Sequence, residues 1–215
     1  MQQKDSREET SGQKMSDMKK KNDKPKYIKY AKRFNIKYFD KYKLIEINNP
    51  WPDTDKNFKY ILYKRGKQRP NGYEDARYIK TPVKKLVSLS STSLGFAIEL
   101  EILDKLVAVN KKERITHKGV LKRINNGDIK EVGSNQNVNI EMLMEMAPVL
   151  VSTYGVGDPK YDSHPKLTEA GIPVAIHAEY METSPLGRAE WIKFLAAFFN
   201  KRKKAKEVFE KIEKK

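Results

Sequence analysis

Few residues in this sequence have the type and spacing that catalysis requires. The histidines, His117, His164 and His177, show no metal-ligand spacing such as His-Glu-x-x-His. The sequence has no cysteine, which excludes disulfides and thiolate chemistry in these residues. Gly155-x-Gly157 has neither the full dinucleotide fingerprint nor the lysine of a phosphate-binding loop. The sequence therefore predicts a protein that is not an enzyme, and we interpret His177 as a packed residue rather than a ligand.

A cluster of hydroxyl groups could bind a ligand without transforming it. Ser90, Ser91, Thr92 and Ser93 lie between an apolar run and a helical pattern. They lack the Gly-x-Ser-x-Gly sequence of a nucleophile elbow. Two interpretations are open. Either the hydroxyls cap the helix, or they bind an anionic or polar ligand together with the N–H groups of the helix N-terminus.

Short apolar runs alternate with helical patterns from residue 79 onwards. This alternation predicts an α/β fold with a mostly parallel sheet, flanking helices and right-handed crossovers. The predicted strands are Lys85–Leu89, Val107–Val109, Lys130–Gly133, Pro148–Ser152 and Pro173–His177. The predicted helices are Leu94–Leu103, Arg114–Asn126, Asn139–Met146, capped by Asn139, and Asp162–Ala170, ended by Gly171.

The ligand site of such a fold lies beyond the carboxyl ends of the parallel strands. In this sequence those ends lead into Ser90–Ser93, into a predicted flexible loop at Tyr154–Gly157, and into Ala178–Gly187. Tyr180 and Arg188 flank the last loop, where surface packing and ligand contact are both open interpretations. Aromatic rings there would stack on a ligand, and Arg188 could pair with an anionic one. The predicted ligand-binding residues are Ser90, Ser91, Thr92, Tyr154, Tyr180, Met181 and Arg188.

The N-terminal part of the chain differs in composition. Residues 1–26 contain almost no large apolar side chain, so we predict a disordered tether. Residues 27–66 hold two β-rich runs, Phe39–Ile47 and Phe58–Tyr63, separated by the turn cluster Asn48–Asp55. This pattern predicts an antiparallel strand pair that precedes the α/β core.

The stretch from Arg188 to Lys215 carries a long helical pattern. Apolar residues recur at spacings of three, four and seven between Trp191 and Phe199, whereas the later part is nearly all Lys and Glu. We therefore predict one helix whose beginning packs on the sheet and whose later part leaves the domain.

The charge balance raises a second class of function. The sequence has 215 residues and a net charge of +16. Residues 1–33 contain 11 basic and 5 acidic residues, and residues 201–215 contain 8 basic and 3 acidic residues, so the two ends supply +11 of the net charge of +16. Ordinary solvated lysine-rich faces explain this distribution. The alternative is a basic nucleic-acid-binding protein that uses these ends.

Several segments, in order along the chain, resemble the iron-complex and cobalamin substrate-binding proteins of ABC importers. Asn139–Val151 resembles a segment of that family that begins with Asn, continues with Leu or Ile and then Glu, and ends with Pro-Asp-Leu-Val. In this sequence Val149 replaces the usual aspartate. The resemblance extends from about Tyr27 to Lys215. Further similar segments are Pro82–Phe96, Glu101–Val109, Glu131–Gly133, Leu167–Val174 and Pro185–Phe194.

The resemblance implies two α/β lobes joined by one long rigid helix, with the ligand held between the lobes. Residues 27–187 correspond to the first lobe, with its α/β core at residues 79–187. Residues 188–215 correspond to the start of the helix between the lobes. The second lobe is absent from this sequence, so half of the ligand site is missing and we expect weak binding by this chain alone.

The resemblance also implies ligands and partners. The ligand would be an iron complex, either a ferric siderophore or haem, or a cobalamin-like molecule, and no cofactor is expected. Glu141, in the matching Asn-Ile-Glu segment, would dock on the importer permease by pairing with arginines. We expect a monomer with no nucleic-acid partner.

The expected location follows from the same resemblance. No run of 18 apolar residues is present, and residues 1–25 lack an apolar signal region, as a processed protein would. We expect the protein in the periplasm or on the outer cell surface, lipid-anchored in its native precursor, with Met1 in place of a lipidated cysteine.

Overall fold

The computed structural model describes residues 27–52, 55–133, 137–147 and 150–215. The predicted tether, residues 1–26, lies outside the described residues. The strands are β1 (Phe34–Tyr38), β2 (Tyr42–Asn48), β3 (Asn57–Lys64), β4 (Ala76–Thr81), β5 (Leu86–Ser88), β6 (Leu106–Val109), β7 (Lys130–Glu131), β8 (Leu150–Tyr154) and β9 (Val174–His177). The α-helices are α1 (Ser91–Glu99), α2 (Lys118–Asn125), α3 (Ile140–Met146), α4 (His164–Glu169), α5 (Pro185–Glu190), α6 (Ile192–Phe198) and α7 (Arg202–Glu213). In these ranges no helix is both long enough and apolar enough to cross a membrane.

The central sheet has five strands in the order β7-β6-β5-β8-β9, and every pair is parallel. Val87 on β5 pairs with Val151 on β8, which in turn pairs with Val174 on β9. All three side chains are buried, because helices cover both faces of such a sheet and leave its strands as continuous apolar runs. The predicted α/β fold with a mostly parallel sheet is confirmed.

The strand order places a reversal next to β5. From β5 the chain adds β6 and then β7 on one side, and it then crosses to the other side to add β8 and β9. The chain therefore continues to opposite sides of the sheet from β5 and from β8. In parallel sheets ligands bind at such a switch point, beyond the carboxyl ends of the strands.

A second sheet of four strands, β1-β2-β3-β4, precedes the central one. The antiparallel pair of β2 and β3 confirms the predicted strand pair, but the predicted first strand, Phe39–Ile47, begins too early. The backbone N–H of Phe39 donates to the carbonyl of Tyr42 at 2.9 Å, so a tight turn precedes β2. Two further strands were not predicted. β1 pairs antiparallel with β2, and β4 pairs parallel with β3.

The two sheets meet at β9, the last strand of the central sheet. The hydroxyl of Tyr60 on β3 accepts the backbone N–H of Ile176 at 3.1 Å. Arg77 on β4 donates to the carbonyl of Val174 at 3.3 Å. These side chains satisfy backbone groups that the edge of a sheet would otherwise leave open. The N-terminal sheet is therefore integrated with the α/β core.

The prediction of one continuous helix from Arg188 onwards is wrong. The structure divides this stretch into α5, α6 and α7. Asn200 takes a left-handed backbone conformation, with φ of 58°, which ends a helix. Lys43 Nζ donates to the carbonyl of Ala197 and to Oδ1 of Asn200, both at 2.5 Å. A lysine from β2 thus satisfies a carbonyl that the end of α6 leaves open.

The last helix packs back on the domain, which also differs from the prediction that it leaves. Ala205 and Phe209 on α7 are buried, and the rings of Phe209 and Tyr30 lie 5.9 Å apart. Glu213 accepts hydrogen bonds from Tyr30 at 2.8 Å and from Lys29 at 3.2 Å. Contacts with the segment before β1 therefore hold α7 in place.

Candidate functional site

The predicted site residues of three loops lie at one edge of the central sheet. Ser90 to Thr92 follow β5, Tyr154 ends β8, and the 3-10 turn Glu179–Met181 follows β9. Because these strands are parallel, their carboxyl ends share an edge, and β5 and β8 flank the switch point. The structure therefore brings six of the seven predicted ligand-binding residues to this edge.

The hydroxyl cluster divides into buried and exposed members. Ser90 is the N-cap of α1, and its Oγ accepts the backbone N–H of Ser93 at 3.4 Å. Ser93 donates to Ser152 Oγ at 2.7 Å beneath the edge. Ser90 thus has the capping function, whereas Ser91 and Thr92 are exposed on the first turn of α1. Only the exposed pair presents hydroxyls to solvent at this edge.

Trp51 is a site residue that the sequence did not predict. It lies in the loop between β2 and β3 and is 2% exposed. Its Nε1 donates to the hydroxyl of Tyr180 at 2.9 Å and to the carbonyl of Gly155. Its ring stacks on His164 with centroids 5.4 Å apart. The Pro-Trp-Pro sequence in a polar turn was the one available signal, because a tryptophan between prolines is an unusual solvent-exposed turn residue.

The loop Tyr154–Gly157 is held in place, although the sequence predicted a flexible loop. The carboxylate of Asp162 accepts the N–H groups of Val156 at 2.6 Å and Gly157 at 3.0 Å. Burial raises the pKa of Asp162, and these two hydrogen bonds act in the opposite direction. The Trp51 side chain also lies against Gly155 and Gly157. The loop therefore offers a defined surface to a ligand.

Exposed apolar side chains concentrate at this edge. Val156 is 49% exposed, Tyr161 is 53% exposed and Tyr180 is 38% exposed. They are three of the five most exposed large apolar side chains in the described part of the chain, the others being Met144 and Ile212. Exposed apolar groups that cluster in neighbouring loops mark binding surfaces.

A buried histidine and a buried carboxyl group lie beneath the turn that carries Tyr180. His177 is fully buried against the rings of Trp191 and Phe194, and burial lowers its pKa to about 3. Its Nδ1 lies 3.9 Å from Oε2 of Glu179. Burial raises the pKa of Glu179, and a hydrogen bond from Thr92 acts in the opposite direction. His177 is therefore neutral at pH 7, as expected for a packed residue.

Met181 and Arg188 border the same turn. Met181 is half-buried, and its carbonyl accepts Nε of Arg33 at 3.0 Å. Arg188 is exposed on α5, and its Nε donates to the carbonyl of Glu182 at 3.0 Å. One donor of the Arg188 guanidinium is thus used to hold the turn, and the side chain remains accessible to solvent.

Glu141 is exposed in the first turn of α3. The cap predicted at Asn139 is confirmed, since its side chain accepts the N–H of Met142 at 2.9 Å. The backbone N–H of Asn139 donates to the carbonyl of Val132, just after β7, at 2.8 Å. Because α3 starts where β7 ends, Glu141 lies on the side of the sheet that carries the candidate site.

The described residues contain no group of three or more histidine, aspartate or glutamate side chains placed to hold a metal ion. The edge instead combines exposed aromatic rings, hydroxyls and one accessible guanidinium. Such a set can stack on an extended ring system and donate hydrogen bonds to it. The chemistry that this edge supports is non-covalent binding of a small molecule.

Comparison with known proteins agrees with this description. An uncharacterised lipoprotein of Methanocaldococcus jannaschii is 28% identical over 211 residues, which are 87% of this chain and 50% of that protein. The present chain therefore spans about half the length of this relative. Among solved structures, the petrobactin-binding protein of Bacillus subtilis has a TM-score of 0.52 at 16% identity, and the match covers 79% of this chain and 50% of that protein. The molybdate periplasmic binding protein of Haemophilus influenzae has a TM-score of 0.51 at 18% identity, and the match covers 61% of this chain and 45% of that protein.

The two structural likenesses show a shared fold. The model of the family described as periplasmic binding protein matches residues 86–215, which is more than half of the chain. This match covers β5 to α7, including the three loops of the candidate site. The chain therefore belongs to the periplasmic binding protein family.

Proposed function

We propose that this protein is part of a solute-binding receptor of an ABC importer. Its ligand would be an iron complex, either a ferric siderophore or haem, or a cobalamin-like molecule. The observation that carries the proposal is the group of exposed side chains Val156, Tyr161 and Tyr180 at the switch-point edge of a family whose members bind substrates. A petrobactin-binding protein among the structural neighbours supports the iron-complex assignment.

The predicted ligand-binding residues have these roles in the proposed binding. The rings of Tyr154 and Tyr180 stack on the ligand, and Met181 adds an apolar contact. Arg188 pairs with an anionic group of the ligand, Ser91 donates a hydrogen bond to it, and the hydroxyl oxygen of Thr92 accepts one. Ser90 contributes by capping α1. No covalent step is required of any of these residues.

The other wall of the binding site belongs, in this proposal, to a second lobe. This chain spans about half the length of the relative that it matches. The described residues, including the helix α7 that packs back on the domain, would belong to the first lobe. An edge that supplies only one wall buries less of a ligand than a closed cleft. Weak binding by the isolated chain therefore follows.

We further propose that Glu141 docks the receptor on its permease. The carboxylate is exposed on α3, on the side of the sheet that carries the candidate site. A carboxylate and a guanidinium form short, charge-assisted and often bidentate hydrogen bonds. The lipoprotein relative supports a location in the periplasm or on the outer cell surface, with a lipid anchor.

The nucleic-acid alternative receives no support from the comparisons. On α7, Lys206 lies 3.6 Å from Glu210 and Lys203 lies 4.0 Å from Glu207. These pairs reduce the local excess of positive charge on a helix surface that is otherwise solvated. A surface for phosphate groups would instead present cations without acidic neighbours.

Titration of the full-length protein with haemin, ferric petrobactin and cyanocobalamin tests the proposal. We expect one of these ligands to quench tryptophan fluorescence in a saturable way, because Trp51 adjoins the site. A control titration of the heat-denatured protein separates binding from optical absorption by the ligand. Absence of saturation with all three, together with salt-sensitive retention on DNA, would contradict the receptor function and favour the alternative.

A further inference from the structure

The N-terminal sheet lies outside residues 86–215, which the family model matches, yet one of its loops reaches the candidate site. We propose that Trp51 is a positioning residue that sets the Tyr180 ring and the loop Tyr154–Gly157 for ligand contact. The N-terminal sheet then contributes to the binding edge by holding its loops. This inference rests on the proposed function, because ligand contact by Tyr180 is part of it.

A closed set of hydrogen bonds joins the three partners. The indole Nε1 of Trp51 donates to the hydroxyl of Tyr180 at 2.9 Å. Both Trp51 Nε1 and the Tyr180 hydroxyl donate to the carbonyl of Gly155. An indole N–H can only donate, whereas a phenol accepts and donates, so the order of the bonds is determined. Since a tyrosine side chain has two rotatable bonds, fixing its hydroxyl also fixes its ring.

The backbone of the loop lies directly on the indole ring. A Cβ atom added to Gly155 would lie 2.6 Å from the Trp51 ring, and one added to Gly157 would lie 3.1 Å from Trp51 Cβ. Glycine is therefore required at Gly155, where a side chain has no space. Asp162 also holds the loop, by accepting the N–H groups of Val156 and Gly157. The exposed Val156 is thus presented from a backbone that two side chains hold.

A second contact joins the same elements. Arg33 donates from Nε to the carbonyl of Met181 at 3.0 Å and from Nη1 to the carbonyl of Asn49. The loop that carries Trp51 is therefore tied to the turn that carries Tyr180 and Met181. Both loops of the binding edge thereby take their position from the N-terminal sheet.

Trp51 also packs as a core residue does, so the two roles must be separated. Its ring stacks on His164 and meets Phe58 edge-on at 5.7 Å. These contacts depend on an aromatic ring and stabilise the fold. The indole N–H group, in contrast, donates to Gly155 and Tyr180. Replacement by phenylalanine retains a ring and removes the N–H group.

A double-mutant cycle in the full-length protein measures the positioning role. The variants are Trp51→Phe, Tyr180→Phe and the double variant, titrated with whichever of haemin, ferric petrobactin and cyanocobalamin the wild type binds. Each single change should raise the dissociation constant about five- to tenfold, the scale of one neutral hydrogen bond. The dissociation constant of the double variant should be no higher than that of the weaker-binding single variant, because both changes break the same contact. Additive losses, or unchanged affinity of Trp51→Phe, would overturn the proposal.

Tyr60→Phe is the matched control. It also removes one hydrogen bond between the two sheets, but the bond lies at Ile176 on β9. If Trp51 acted only by joining the sheets, this control would weaken ligand binding as much as Trp51→Phe does. We expect its dissociation constant to stay within about twofold of the wild type.

Hydrogen exchange of the unliganded protein gives a readout that needs no ligand. The backbone amides of Val156 and Gly157 should exchange faster in Trp51→Phe and in Tyr180→Phe than in the wild type and in Tyr60→Phe. If none of the probes binds the wild type, the proposed function loses its support, while the exchange rates still decide the positioning role. Unchanged exchange in both variants would overturn the positioning role. If Trp51→Phe does not fold, the exchange rates of Tyr180→Phe alone decide the question.

Discussion

The carboxylate of Glu190 on α5 accepts the backbone N–H of Tyr30 at 2.7 Å, across 160 positions of sequence. The same carboxylate accepts the N–H groups of Lys29 at 2.9 Å and Ala31 at 2.8 Å, and it pairs with Lys193 Nζ at 2.6 Å. Both Glu190 and Lys193 are buried. One buried charge thus fixes the segment before β1 against the C-terminal helices.

Glu190→Gln should destabilise the fold strongly. An amide loses the negative charge, leaves Lys193 buried without its counter-ion and places N–H groups against backbone N–H groups. Breaking a buried ion pair by removing one partner costs about 3–5 kcal/mol, and urea unfolding measures this loss. Glu213→Gln is the matched control, since Glu213 contacts the same segment from a partly exposed position. We expect the control to lose less than about 1 kcal/mol, and equal losses would contradict the role of the buried charge.

Acidification should destabilise the protein through its buried histidines. Burial lowers the pKa of His177 to about 3 and that of His164 to about 4, whereas both titrate near 6.5 when unfolded. Between these values the unfolded chain binds more protons than the folded one, so stability falls as the pH falls below about 6.5. For His177 the loss by pH 4.5 is on the order of 2–3 kcal/mol.

The variant His177→Leu isolates this effect. Burial raises the pKa values of Glu179 and Asp162. These two groups change the stability with pH in the opposite direction, because their protonated form stabilises the fold and is lost as the pH rises. The same two carboxyl groups are present in the variant, so they cancel in the comparison. Urea unfolding at pH 7 and at pH 4.5 should show a smaller loss in His177→Leu than in the wild type. Equal losses would show that His177 is protonated in the folded state.

Arg188→Ala should weaken the binding of an anionic ligand to the full-length protein. A charge-assisted hydrogen bond contributes about 1.5–3 kcal/mol, and calorimetry measures the change. Lys203→Ala removes the same charge from an exposed position on α7 and should leave the affinity unchanged. An unchanged affinity of Arg188→Ala would remove this residue from the site.

Glu141→Ala should leave ligand affinity intact and reduce delivery to the permease. Uptake of the labelled ligand in cells, set beside a binding measurement on the purified receptor, separates these two steps. Glu145→Ala, an exposed carboxylate on the same helix, is the control for the loss of one negative charge. Normal uptake by Glu141→Ala would exclude the docking role.

The resemblance stated from the sequence is confirmed by the family match, and local signals placed most of the α/β core. Asn139 was expected to cap a helix and does so, and Ser90 has the capping role that was one of two open interpretations. Gly171, with φ of 74°, follows the end of α4 as predicted. Each of these signals acts within a few residues of chain, since a cap satisfies the N–H groups of its own helix.

The features that the sequence did not reveal depend on distant partners. Trp51 contacts Tyr180, 129 residues away, and the break at Asn200 is accompanied by a contact with Lys43, 157 residues away. β4 belongs to the N-terminal sheet because it pairs in parallel with β3, and no local pattern reports such a pairing.

The sequence by itself therefore determined the α/β class, the succession of strands and helices along the core, and the loops that lie at the candidate site. It did so because hydrophobic period, caps and turns are local properties of the chain. The tertiary structure alone decided that the loop Tyr154–Gly157 is held rather than flexible. It also decided that the C-terminal stretch folds back as α7, and that Trp51 belongs to the site. These outcomes depend on contacts between segments far apart in the chain, which only the packed fold brings together.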